Sequence, residues 1–138
     1  VIVPDAQSSR LVSRDGTLRG DALRVAWDPL NNARFHPEPD DRGLVLGLPD
    51  PDEPRKVEPV AGGERSFNGE CEIRRDEGGK RTIYELFIPW SDLGHRLPLR
   101  LDLGIVNDDG NKTWHSLGEG ITERDFIPGF MPLLTPEE

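Results

Sequence analysis

Three tryptophans, Trp27, Trp90 and Trp114, are the side chains of this sequence best suited to recognition. An indole offers a flat face for stacking on a sugar ring and an N–H that donates a hydrogen bond. Trp27 shares a strand face with Leu23 and Val25, which reads as core. Trp90 follows the end of a strand and is expected to pack a corner. Trp114 shares a strand face with the polar Lys112 and Ser116, so it is the expected exposed platform. Carboxylates come next. Glu85 points away from the core-facing residues of its strand, and Glu70 and Glu72 do the same on the preceding one. A facing carboxylate pair is the equipment of glycoside hydrolysis, yet on a small sheet such residues ordinarily make a solvated face. The run Asn107-Asp108-Asp109-Gly110-Asn111 collects the oxygens a hard cation needs. It is equally the chemistry of a hairpin turn, and it lacks the distal glutamate of an EF-hand loop. Asp108 and Asp109 are the candidate metal ligands.

Other chemistries find little support. His36, His95 and His115 lie in separate segments without metal-ligand spacing. Gly118-Glu119-Gly120 lacks the strand-to-helix setting of a phosphate-binding loop. The one cysteine, Cys71, rules out an intrachain disulfide and shares a face with Phe67 and Ile73, as a buried structural thiol does. With 17 Lys+Arg against 26 Asp+Glu and a formal net charge of -9, a basic nucleic-acid-binding face is disfavoured, and an anionic membrane would repel the chain. No apolar run approaches the ~20 residues of a membrane span. The sequence opens with Val and carries no signal peptide, so a processed product or an excised domain is expected.

The elements that must hold these residues are short strands. The 138 residues suit one domain. Asp21 to Asp28 alternates as a strand and is stopped by Pro29. Residues 36–59 carry six prolines and form a long irregular region in which only Gly43 to Leu48 reads as a strand. Arms Ser66 to Arg75 and Lys80 to Ile88 make a hairpin around Asp76-Glu77-Gly78-Gly79. Pro89 ends the second arm, and Ser91 is placed to cap a single helical turn through Asp92 and Leu93. Leu99 to Val106 has the cleanest alternation, Lys112 to Leu117 returns beside it, and Phe130 to Leu134 is a last edge strand. There is no long amphipathic helix. The pattern predicts an all-β antiparallel β-sandwich.

Several segments together resemble the family 9 carbohydrate-binding modules, jelly-roll-like sandwiches appended to secreted polysaccharide-degrading enzymes. They are Gly20 to Pro29, Tyr84 to Leu93, Leu103 to Gly110 and Asp125 to Leu134, in the family's order and covering most of the chain. The resemblance implies a non-catalytic accessory domain of a larger multidomain chain, extracellular or periplasmic, that binds carbohydrate and carries structural calcium but no organic cofactor. It also implies that the first strands are absent, leaving a sheet edge open to an edge-paired homodimer. The family's two clamping tryptophans have no counterpart here, where Leu18-Arg19 and Ile121-Thr122-Glu123 stand instead. The candidate ligand-binding residues are Arg24, Glu85, Asn107 and Trp114. Two alternatives stand beside this reading: a structural or assembly sandwich that has lost sugar binding, and a haem-binding sandwich using Met131 and His115.

Overall fold

The computed structural model describes residues 1–5, 7, 10–14, 17–32, 40–48, 56–59, 67–94, 98–108, 111–118, 129 and 131–133. Eleven strands and one helical turn lie among them. In chain order they are β1 (Ile2–Pro4), β2 (Val12–Arg14), β3 (Thr17–Arg19), β4 (Ala22–Asp28), β5 (Arg42–Gly47), β6 (Lys56–Pro59), β7 (Glu70–Asp76), β8 (Arg81–Phe87), α1 (Trp90–Leu93), β9 (Leu99–Asp108), β10 (Lys112–Ser116) and β11 (Met131–Leu133). Every pairing is antiparallel. The larger sheet runs β10-β9-β4-β5-β6, with β11 sharing the β10 edge of β9. The smaller runs β1-β8-β7, and β2 and β3 form a separate hairpin. The expected all-β sandwich architecture is what the chain adopts.

Period-two alternation decides what lies between the sheets. Registers Leu23↔Ile105, Val25↔Leu103 and Trp27↔Leu101, with Leu23↔Leu46 and Val25↔Leu44, put one apolar row of each strand on the same face. That face meets Tyr84, Leu86, Cys71, Ile73 and Val3 from the smaller sheet in one cluster. Trp27 is the core residue its spacing predicts, only 2% exposed, and its Nε1 donates to the Asp92 carbonyl at 3.0 Å. Burying such a ring is among the larger single contributions to a core, with truncation costing about 3–5 kcal/mol.

Strand β4 departs from the amphipathic expectation, because all seven of its residues are buried. It is the central strand of the larger sheet, and its outer row (Ala22, Arg24, Ala26, Asp28) is covered as well. Leu11, Val45, Val106 and the partly buried Trp114 pack there with Ala22. Leu11 lies so close over Gly47 that a Cβ at that glycine would sit 2.3 Å from the Leu11 Cβ. Strand β9 shows the converse: Asp102, Gly104 and Val106 on the outer face are buried, while Leu101, Leu103 and Ile105 are only partly so. Three strands packed against the larger sheet leave the β9 end of its inner face incompletely covered.

The corner at Pro89 differs in detail from its sequence reading. The helix starts two residues earlier than expected, at Trp90 rather than Asp92. Pro89, in extended geometry (φ -69°, ψ 153°), accepts from the Asp92 and Leu93 N–H groups through its carbonyl, and no side chain caps the turn. Ser91 is therefore inside the helix rather than its cap. Gly94 closes it at φ 105° with its N–H on the Trp90 carbonyl. Trp90 itself is 53% exposed and does not pack a corner. Asp92, buried at 7% exposure, holds the corner by accepting from the Asn68 N–H (2.7 Å) and Nδ2 (3.0 Å). Strands β2, β3 and β6 have no counterpart in the sequence reading. Strand β11 lies within the Phe130 to Leu134 segment read as the closing edge.

Candidate functional site

The four candidate ligand-binding residues fall on three surfaces. Arg24 and Trp114 come together on the outer face of the larger sheet, because Trp114↔Val106 and Ala22↔Val106 bring β10 and β4 to either side of β9. The Arg24 guanidinium lies 5.9 Å from the Trp114 ring centre, and the Lys112 ammonium 5.5 Å from it. Two cations over one indole use its negative face internally. Arg24 is 9% exposed and Trp114 half-buried, so the expected open platform is a packed cation–π cluster. The Trp114 Nε1–H is buried and meets no hydrogen-bond acceptor among the described residues.

Asn107 turns the other way. It falls in the inner-face row with Ile105 and lines a small cavity between the sheets. Glu85 lies on the far side of the molecule, on the outer face of the smaller sheet. There it is directly opposite Glu72, two pairs along from Glu70↔Phe87 and so on the same face. Arg74 bridges the two acids, at 3.5 Å from Glu72 and 3.3 Å from Glu85. All three side chains are more than half exposed, at 53–59%. Around them Phe67, Gly69, Glu70, Cys71, Leu86 and Phe87 complete an open groove of about 650 Å³. Phe87 is 62% exposed, and no spacing argument had singled it out. Its signal was available: alternation places Phe87 on the Glu85 face, opposite the core row of Tyr84 and Leu86.

The acidic groups divide into structural and unassigned. Asp108 accepts from the Gly20 N–H at 3.0 Å, and its own N–H donates to Asp21 at 2.8 Å, so its carboxylate stitches β9 to the entry of β4. Asp109 lies outside the described residues, as do His36, His95 and residues 121–123. Asp102, fully buried, accepts from Ser116 Oγ (2.5 Å), the Gly118 N–H (2.6 Å) and the Leu103 N–H (2.8 Å). At the β4–β5 end, Asp28, Asp40 and Asp41 bring one oxygen each within 4.8 Å of one another, the first and last of them buried. At the β7–β8 turn, the Asp76 carboxyl is held below its ordinary range, chiefly by the Gly79 N–H and then by Arg81.

No family model, curated protein or solved structure matches the chain. The reading of function therefore rests on these surfaces alone.

Proposed function

We propose that the chain is a non-catalytic carbohydrate-binding sandwich, an accessory domain of a larger extracellular or periplasmic polysaccharide-degrading protein. The observation that carries this reading is the groove on the smaller sheet, where an exposed aromatic ring, Phe87, stands beside the carboxylates of Glu70, Glu72 and Glu85. A pyranose presents an apolar C–H face and a rim of hydroxyls. Phe87 supplies the stacking surface, and the carboxylates accept hydrogen bonds from the rim. The groove volume falls within the usual range for small-molecule sites, about 300–1,000 Å³. The solvated setting of Glu72 and Glu85, with Arg74 between them, speaks for recognition. Hydrolysis needs one carboxyl in an apolar pocket to act as the acid. Glu85 thus stays in the proposed site, while Arg24, Asn107 and Trp114 lie outside it.

In the same reading a structural calcium ion is held by Asp28, Asp40 and Asp41, whose converging carboxylate oxygens are the donors such an ion takes. Asp108 is committed to the backbone. A second location for sugar, the Trp114 face, is favoured by the indole N–H that meets no acceptor among the described residues. Calorimetric titration with neutral mono- and oligosaccharides tests both locations. Loss of binding in Phe87→Ala with retention in Trp114→Ala supports the groove, and the reverse assigns the larger sheet. No binding in folded wild-type protein, together with self-association in light scattering, would replace recognition by assembly through an edge strand such as β7.

A further inference from the structure

A sheet edge exposes a row of backbone N–H and C=O groups that another strand can complete. Several edges of this molecule are blunted. Strand β1 has three residues and ends in Pro4, β6 has four and ends in Pro59, and β11 has three with Pro132 at its centre. Strand β7 is different. Its seven residues, Glu70–Asp76, hold no proline and pair without interruption to β8, and among the described residues no strand lies on their other side. Cys71 and Ile73 on its core-facing row are only partly buried. The one charge in that row, Arg75, is drawn back into its own sheet, donating to the Asp5 carbonyl at 2.8 Å and to Thr82 Oγ1 at 3.3 Å. It therefore does not guard the edge against pairing.

The charge pattern of β7 selects an occupant for that edge. Two copies of the strand related by a two-fold axis perpendicular to the sheet run antiparallel, and every residue keeps its face. Opposed residues must share a face, so the axis passes through a residue. Centred on Ile73, the outer row puts Glu72 opposite Arg74 of the second copy and Arg74 opposite its Glu72, while Ile73 meets Ile73 on the core-facing row. Centred on Glu72 or on Arg74, two like charges are opposed at the axis itself, which is destabilising. Within one chain Glu72 already stands opposite Glu85, with Arg74 as the cation between them at 3.5 and 3.3 Å. The Ile73-centred register brings a second Arg74 to that level. At the ends Glu70 meets Asp76, whose carboxylate is already paired with Arg81 at 2.8 Å.

We propose that the chain forms a two-fold dimer by antiparallel β7–β7 pairing centred on Ile73, which joins two three-stranded sheets into one continuous sheet. Both outer grooves then lie on the same side of it. The dimer goes beyond carbohydrate binding and does not rest on it. One strand edge is a small interface, so a weak, reversible association is expected. Sedimentation equilibrium without sugar, at protein concentrations up to about 1 mM, tests it. Expected is a monomer–dimer equilibrium that weakens roughly tenfold or more in Glu72→Arg and in Arg74→Glu, each of which sets two like-charged pairs across the axis. Mixing the two variants restores association as a heterodimer, and the double variant Glu72→Arg/Arg74→Glu restores the homodimer. Both side chains are more than half exposed, and thermal melting verifies that each variant is folded. A protein that stays monomeric throughout overturns the proposal. Association that neither reversal weakens, or that neither the mixture nor the double variant restores, overturns it too.

Discussion

Replacing Asp102 by alanine removes a fully buried carboxylate that three donors depend on. Two of those bonds, from Ser116 Oγ and the Gly118 N–H, tie the end of β10 back onto β9. Hydrogen bonds to a charged acceptor contribute about 1.5–3 kcal/mol each. Losing the pair strands a hydroxyl and an N–H in a part-buried setting, while the removal of a buried charge returns some desolvation free energy. The balance is a loss of about 3–5 kcal/mol, a large share of the ~5–15 kcal/mol typical of a domain. With a urea m-value of roughly 2 kcal/mol/M, the midpoint falls by about 2 M at unchanged slope. Asp102→Asn keeps one oxygen for the two N–H groups, and the Ser116 hydroxyl can turn to accept from the amide, so about 1–2 kcal/mol is expected there. A loss under about 1 kcal/mol in Asp102→Ala would refute the assignment of Asp102 as the anchor of β10.

Gly20→Ala should cost at least about 2 kcal/mol in urea denaturation, because φ is 108° and the added Cβ would lie 2.1 Å from the Arg10 carbonyl oxygen. Trp27→Phe should cost about 1–3 kcal/mol, since it keeps an aromatic ring in the core but strands the Asp92 carbonyl that the indole N–H bonds. Asp76 is expected to show a pH signature. Its folded pKa lies below the unfolded 3.8, so its stabilisation is present above that value and is lost as pH falls through the lowered one. Asp76→Asn should therefore destabilise at neutral pH and approach wild type in strong acid. Tyr84 runs the other way: with its folded pKa raised, its contribution is present below the unfolded value of 10 and is lost as pH climbs through the folded one. Folded protein at about pH 11 should show almost no tyrosinate absorbance, and urea-unfolded protein at that pH should show about nine-tenths of it.

The core was legible in the sequence wherever alternation and a stop signal coincided. Leu23, Val25 and Trp27 ending at Pro29, and Tyr84, Leu86 and Ile88 ending at Pro89, lie on the faces their spacing requires. Alternation could not reveal that the outer row of β4 is covered, because Leu11 and Trp114 reach that face from segments distant in sequence. Trp114 was misread for a related reason. Its exposure depended on Arg24, which reaches it from β4, and register across strands is a tertiary fact. Phe87 was passed over because it sits in a run of apolar residues, Leu86 to Ile88, where one residue is easily counted with its neighbours. The convergence of Asp28 with Asp40 and Asp41 spans a chain reversal, so no local spacing announces it.

The most direct measurement is a calorimetric titration of the folded protein, and of its Phe87→Ala and Glu85→Gln variants, with a panel of neutral oligosaccharides. Saturable heat at a Kd of millimolar or tighter, about −4 kcal/mol or better, is expected for the wild type and should be lost in both variants. Absence of heat for every sugar, or binding untouched by both substitutions, would contradict carbohydrate recognition in this groove.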